Sequence, residues 1–237
     1  MDFDIITAFP GMFEGPLSHS ILGRALERDR LRVRLHDLRD FSTDRHRKVD
    51  DVPYGGGGGM VLIPGPVFAA VEAVRERFPA SSTRCVLLCP QGVRFDQEQA
   101  RRLAAYDRLI LICGRYEGVD ERVREHLADE SLSIGDYVLT GGEIPAMVVI
   151  DALARQVPGV VGDADAVRRD SFYEGILDHP HYTRPASFRG WKVPEVLISG
   201  HHEQIAAWRQ ARALEATARN RPDLLQRRAR TGAEKGH

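Results

Sequence analysis

The chain has 237 residues, 43% hydrophobic and 28% charged, which suits a soluble protein of one large or two small domains and offers no apolar run near the ~18 residues of a membrane span. Its net charge of −1 hides an asymmetry: residues 181–237 carry 11 Lys/Arg against 5 Asp/Glu, and residues 1–180 carry 22 against 29. Cys85, Cys89 and Cys113 form no C-x-x-C and sit in or beside apolar runs, as reduced core residues of a cytoplasmic protein do.

In chain order, residues 3–9 make a first strand, closed by Pro10-Gly11. This acidic, strand-like start is not that of a signal peptide. Residues 20–28 predict a short helix and 31–38 a half-exposed strand of alternating Leu, Arg and Val. Residues 39–51 hold eight charged side chains among thirteen and no apolar period, so they read as a loop. Gly55 to Gly59 follow Val52-Pro53-Tyr54 and precede Met60-Val61-Leu62-Ile63. That run fits neither the P-loop, since no Gly-Lys-Ser/Thr follows, nor G-x-G-x-x-G. Its apolar flanks argue against a flexible linker.

Residues 66–78 form an amphipathic helix with Val67, Ala70, Val71 and Val74 on one face. Residues 85–89 and 109–113 are continuous apolar runs, as in strands buried on both faces. The first ends in Pro90-Gln91-Gly92, after which Asp96 caps a helix with Gln99 in capping-box spacing. The second ends in Gly114-Arg115-Tyr116-Glu117-Gly118 and leads to a helix over 119–127. A third strand spans 132–139 and ends in Thr140-Gly141-Gly142-Glu143-Ile144-Pro145, with a helix over 145–156. The paired glycines permit positive φ and keep side chains away, and Pro145 suits a first helical turn. A plain strand-to-helix turn and a ligand loop both satisfy this local chemistry. Strands alternating with helices give a mostly parallel α/β sheet, and ligands sit at the carboxyl ends of such strands. Three glycine-bearing turns at equivalent ends favour a real site.

Residues 160–169 lack periodicity and read as a linker. Asp170-Ser171-Phe172-Tyr173-Glu174-Gly175 opens a second part, and His179-Pro180-His181-Tyr182-Thr183-Arg184-Pro185 stays irregular. A helix follows over 203–218, then a fraying basic tail with Arg227, Arg228 and Arg230. The basic C-terminal third points to a polyanion, nucleic acid first; a solvated helical surface without a partner fits the same counts. His179 with His181, or His201 with His202, lacks a third ligand and falls short of zinc spacing.

Six segments in order resemble the bacterial tRNA (guanine-N1)-methyltransferases, the TrmD family of the SPOUT class. They are Asp50-Asp51-Val52-Pro53-Tyr54 with the glycine run and Met60, Pro90-Gln91-Gly92, Cys113 to Gly118, Ser133 to Pro145, Asp170-Ser171-Phe172, and Pro180 to Pro185. The likeness runs from Asp4 to about Leu225, with one departure at Cys89, where the family usually has serine. It implies a SPOUT-type mostly parallel α/β sheet with a deep trefoil knot, plus a small, mainly helical C-terminal domain. Residues 1–160 would be the S-adenosylmethionine-binding domain, 161–170 a flexible linker that orders when tRNA arrives, and 171–237 a basic tRNA-binding domain.

The resemblance further implies a cytoplasmic homodimer with its active site between subunits and no membrane association. S-adenosyl-L-methionine would contact Leu88, Pro90, Gly92, Gly114, Tyr116, Glu117, Gly118, Ile134, Gly135, Asp136, Tyr137, Val138, Leu139, Gly141, Gly142 and Pro145. The implied reaction methylates N1 of the guanine just 3′ of the anticodon. Asp170 would be the general base and Arg155 the cation on the O6 side. His181 and Arg184 would contact RNA, and Mg²⁺ is an added expectation, with Glu117 the one carboxylate in its loop. From the residues alone, Asp170 serves equally as a helix cap, and Arg155 as an i,i+4 surface partner of Asp151. A non-catalytic RNA-binding module, or a small-molecule enzyme holding a nucleotide at the same loops, stays open beside the methyltransferase.

Overall fold

A computed structural model describes residues 1–162 and 164–234. The chain divides into two compact units, 1–162 and 163–237. The first is built on five parallel strands: β1 (Asp2–Thr7), β2 (Arg32–Asp37), β5 (Thr83–Arg94), β6 (Arg108–Cys113) and β7 (Glu130–Ser133). Their spatial order is β2-β1-β6-β5-β7, and every pair is parallel.

The period of two along each strand sorts apolar side chains to opposite faces. Phe3, Ile5, Val86, Leu88, Leu109, Leu111 and Cys113 join one core. It is capped by α1 (Ser20–Glu27), α3 (Gln97–Leu103) and α5 (Glu143–Ala154). Ile6, Cys85, Leu87, Ile110 and Ile112 join the other, under α2 (Pro64–Arg77) and α4 (Glu121–His126). All six residues of β6 are buried, which explains the unbroken hydrophobicity of the five from Leu109 to Cys113. Burial pushes the Cys85 thiol up to about 12 and that of Cys113 well above its ordinary value, so both behave as apolar core groups.

Several expected boundaries move. The third buried strand stops at Ser133 instead of 139, because the Ser133 hydroxyl donates to the Gly135 carbonyl at 3.0 Å and turns the chain. The strand expected over 85–89 continues to Arg94 across a bulge: Leu88 and Val93 both pair with Leu132, so residues 89–92 arch outward. Residues 39–51 are not wholly irregular. A 3-10 turn covers Leu38–Phe41, and β3 (Asp50–Asp51) pairs antiparallel with β4 (Val61–Leu62). The glycine run is therefore the tip of a hairpin, not a linker. Gly55, Gly56, Gly57 and Gly59 all take left-handed φ, from 79° to 106°, which side chains would resist. The Asp96 cap forms as expected, its Oδ1 accepting from Glu98 and Gln99 N–H at 3.1 Å each.

The second unit contains α6 (Ala164–Arg169), a short hairpin of β8 (Ser187–Phe188) and β9 (Trp191–Lys192), α7 (Glu195–Ile198), α8 (His202–Asn220) and α9 (Pro222–Glu234). Residues 164–169 of the expected linker are thus helical, and residue 163 lies outside the described residues. The tail is helical through Glu234. A fully buried Thr217 organises this small core: its hydroxyl donates to the Ala213 carbonyl at 2.6 Å and accepts from Leu177 N–H at 2.9 Å.

Candidate active site

The carboxyl ends of β1, β5, β6 and β7 lie at one edge of the sheet, where three loops enclose a cavity of roughly 420 Å³. Leu88, Cys89 and Pro90 come from the bulge in β5. Gly114 to Gly118 follow β6, and Ile134, Gly135 and Tyr137 to Gly142 follow β7, with Pro145 behind them. Fourteen of the sixteen expected cofactor positions line it. Gly92 and Asp136 do not. A Cβ on Gly92 would meet Leu132 N at 2.4 Å, so that glycine lets the arch of β5 close against β7.

The paired glycines have a different reason from the one their sequence suggests. Gly142 has φ −81° and Gly141 is not left-handed either. What excludes a side chain is close packing against the neighbouring loop. A Cβ on Gly142 would meet the main chain, Cys113 Cα at 2.7 Å, and one on Gly141 would meet the buried ion pair, Arg115 Nε at 2.4 Å and Glu143 Oε2 at 2.5 Å. Gly142 N–H donates to the Gly114 carbonyl at 2.8 Å, and Arg115 bridges Gly141. The two loops are thus laced together through their backbones.

A buried polar triad, which the sequence reading did not single out, holds this lacing. Glu143 opens α5 and is fully buried. Its Oε1 accepts from the Thr7 hydroxyl at 2.8 Å, and its Oε2 accepts from Arg115 Nε at 3.0 Å. Arg115 also donates to the Thr140 carbonyl at 3.2 Å and stacks 4.3 Å over Phe9. One carboxylate so ties the ends of β1 and β6 to the start of α5. A charge with both oxygens paired is what burial demands. Its signal in the sequence is weak, because a glutamate in a first helical turn looks like ordinary dipole compensation.

The glycine hairpin joins the same edge. Glu117 N–H donates to the Met60 carbonyl and Leu62 N–H to the Gly118 carbonyl, each at 3.0 Å. Tyr116 takes a left-handed φ of 62° beside Asp50. Burial, with that carboxylate, raises its phenol above the ordinary value. Gln91 accepts from Arg124 Nη2 at 2.6 Å, fixing the arch of β5.

Arg155 follows the last turn of α5 and is half-buried; it does not line the cavity. In the second unit Asp170 directly follows α6, so it stands at that helix's C-terminal end and is not its N-cap. His181 and Arg184 are exposed on the rim of a second cavity, roughly 400 Å³, that Tyr182 and Arg209 also line. Among the described residues no helix is long and apolar enough to cross a membrane.

Residues 1–227 match the sequence model of the family described as tRNA (Guanine-1)-methyltransferase TrmD. The tRNA (guanine-N(1)-)-methyltransferase of Geobacter sulfurreducens is 56% identical over 225 residues, covering 95% of this chain and 91% of that protein. The protein of the same name from Dehalococcoides mccartyi is 55% identical over 227 residues, 96% and 91%. That from Brevibacillus brevis is 54% identical over 232 residues, 98% and 94%. With likeness spread over nearly every residue that builds the laced loops and the second unit, the chain belongs to the tRNA (guanine-1)-methyltransferase TrmD family.

Proposed function

We propose that the protein transfers a methyl group from S-adenosyl-L-methionine to N1 of the guanine just 3′ of the anticodon in tRNA. The observation that carries this reading is the family match over residues 1–227. The cavity supports it. Five glycines, Gly114, Gly118, Gly135, Gly141 and Gly142, stand among its lining residues, so main-chain N–H and C=O groups there can read a nucleoside at close range. Tyr116, Tyr137, Val138 and Leu139 add exposed apolar surface beside those groups, which suits an adenine face and a thioether chain.

When bound, S-adenosyl-L-methionine supplies a sulfonium-activated methyl, so the protein needs no covalent nucleophile. The guanine N1 proton must leave, and in this reading Asp170 accepts it. Its contribution depends on placement within hydrogen-bond reach of N1. Arg155 meets the charge that grows on O6 with the several N–H donors of its planar guanidinium. Glu117 and Glu121 are the carboxylates at the cavity wall. Two are sparse for a protein-held Mg²⁺, so no step runs through that ion.

In the same reading the unit containing α8 and α9 grips the anticodon stem through phosphates, with His181 and Arg184 among its contacts. The target base leaves its stack at a cost of a few kcal/mol. We also read the chain as a cytoplasmic homodimer. Ile144 and Val148 lie one turn apart on α5, 46% and 42% exposed, and present an apolar stripe unusual for a free surface. The main-chain lacing of 113–115 to 141–142 is what the trefoil knot of this reading requires.

Unmodified tRNA transcript and methyl-labelled S-adenosyl-L-methionine test the reading. Label is expected at N1 of that guanine, and Asp170→Asn should lower kcat about 10²–10⁴-fold while leaving cofactor affinity unchanged. Cofactor binding with no transfer to RNA overturns it in favour of a small-molecule enzyme. RNA binding without cofactor binding overturns it in favour of a non-catalytic module.

A further inference from the structure

The second unit brings together three side chains that the sequence reading had counted as two. Asp178, His179 and His181 each offer one donor atom, and these atoms lie within 4.8 Å of one another. The missing third ligand is the aspartate just before the histidines, which a search for histidine pairs passes over.

The geometry is close to what an ion needs. A tetrahedral zinc with ligands about 2.0–2.2 Å away requires donors roughly 3.4 Å apart. His181 Nε2 is 2.8 Å from Asp178 Oδ2, and His179 Nε2 is 3.7 Å from Asp178 Oδ1. Each distance runs to a different oxygen of the carboxylate, so side-chain rotation must bring one oxygen and both nitrogens onto a common centre from within 4.8 Å. His181 is free to make its share, with a side chain 71% exposed, while Asp178 and His179 are held at 23% and 14%.

The surroundings favour ligation over chance proximity. His179 Nδ1 lies 3.2 Å from the Pro180 carbonyl. That contact can orient the ring from its second nitrogen, the usual outer-sphere device for a histidine ligand. The two imidazoles pack with centroids 4.5 Å apart. Asp178 is fixed as well: its N–H donates to the Ser171 hydroxyl at 2.9 Å, and its Oδ1 accepts from His179 N–H at 2.7 Å.

We infer that Asp178, His179 and His181 form a binding site for a divalent transition ion of the zinc class. Two nitrogens and one carboxylate leave a coordination position open, the arrangement of a site that accepts an outside ligand and not of a closed structural one. His179 and His181 also line the 400 Å³ cavity beside Arg184 and Arg209, so the open position faces a cationic hollow suited to an anionic oxygen. The inference does not depend on methyl transfer, because it concerns metal uptake without RNA or cofactor.

The test is calorimetric titration of untagged, chelator-stripped full-length protein with Zn²⁺. One saturable Zn²⁺ per chain is expected. Asp178→Asn and His179→Gln, both close in shape, should each weaken binding by about tenfold or more, while His201→Gln leaves it unchanged. Co²⁺ gives a second readout: Trp208, whose ring is 6.5 Å from that of His179, should lose fluorescence on Co²⁺ addition in the native chain but not in His179→Gln. Absence of saturable binding overturns the site, as does undiminished affinity in His179→Gln. If either variant loses its circular dichroism, His181→Gln supplies the comparison, and unchanged affinity there overturns the site equally.

Discussion

Opposite ends of one parallel sheet are held by arginine and carboxylate in different ways. At the amino end the charges form a branched network. Asp2 Oδ2 takes Arg34 Nη2 at 2.9 Å and Arg108 Nη2 at 3.1 Å, and the fully buried Asp4 takes His36 at 2.8 Å with Arg34 at 3.4 Å. Arg34 and Arg108 both stack on Phe78. Arg108 Nε lies 3.3 Å from Asp4 without hydrogen-bond alignment, and its buried Nη1 makes no hydrogen bond, so this end carries spare donors. At the carboxyl end Glu143 alone serves Thr7 and Arg115, and the loops beyond it are joined by main-chain pairing. One end spreads its charge over several partners. At the other, beside the cavity, a single carboxylate carries the junction.

That contrast can be broken experimentally, and the largest effect should come from its unshared member. Glu143→Ala strands a buried arginine and should cost about 3–5 kcal/mol in denaturant unfolding; a loss below about 1 kcal/mol would show that Arg115 re-pairs and that the junction is redundant after all. Gly142→Ala comes next. Its Cβ has nowhere to go, so a cost of about 1–3 kcal/mol is expected together with loss of S-adenosyl-L-methionine binding. Gly65, whose Cβ would meet nothing within 4 Å, should tolerate alanine within about 0.5 kcal/mol.

The smallest effect belongs to the branched end. Asp2→Asn should cost about 1 kcal/mol or less at neutral pH, because Asp2 is partly exposed and its partners keep other carboxylates. The sign of its pH dependence follows from its environment. Burial acts to raise the Asp2 carboxyl, but hydrogen bonds and charge from Arg34 and Arg108 outweigh this and hold it below the ordinary value. Its stabilisation is thus complete above the ordinary aspartate pKa and is lost as pH falls through the lower, folded value. Thermal unfolding of native and Asp2→Asn protein should converge in acid and separate towards neutrality.

The sheet was legible because burial on both faces leaves continuous apolar runs, as at Leu109 to Cys113. The loops were legible as glycine clusters at strand ends. What escaped was whatever depends on a distant partner. Glu143 looks like a first-turn acid until Arg115 and Thr7 stand beside it. Gly141 and Gly142 invite a dihedral explanation, whereas the cause is the Arg115–Glu143 ion pair beside the first and the backbone of residues 113–114 beside the second. Strand 132–139 was drawn too long because Tyr137, Val138 and Leu139 are as apolar as a strand, yet they project into open space, Val138 at 83% exposure. Asp178 became a ligand only once its neighbours folded onto it.

A cavity bordered by bare main chain at Gly114, Gly118 and Gly141 has a consequence for inhibition and for inheritance. A competitor that reads N–H and C=O groups at those positions meets features that no codon change alters directly. Adding any side chain at Gly142 disturbs the enzyme as much as the inhibitor. Escape mutations are therefore channelled to positions where a side chain borders the space, Cys89, Tyr116, Tyr137 and Leu139 among them. An inhibitor anchored on the main chain, with little contact to those side chains, would leave the lineage less room to evolve resistance.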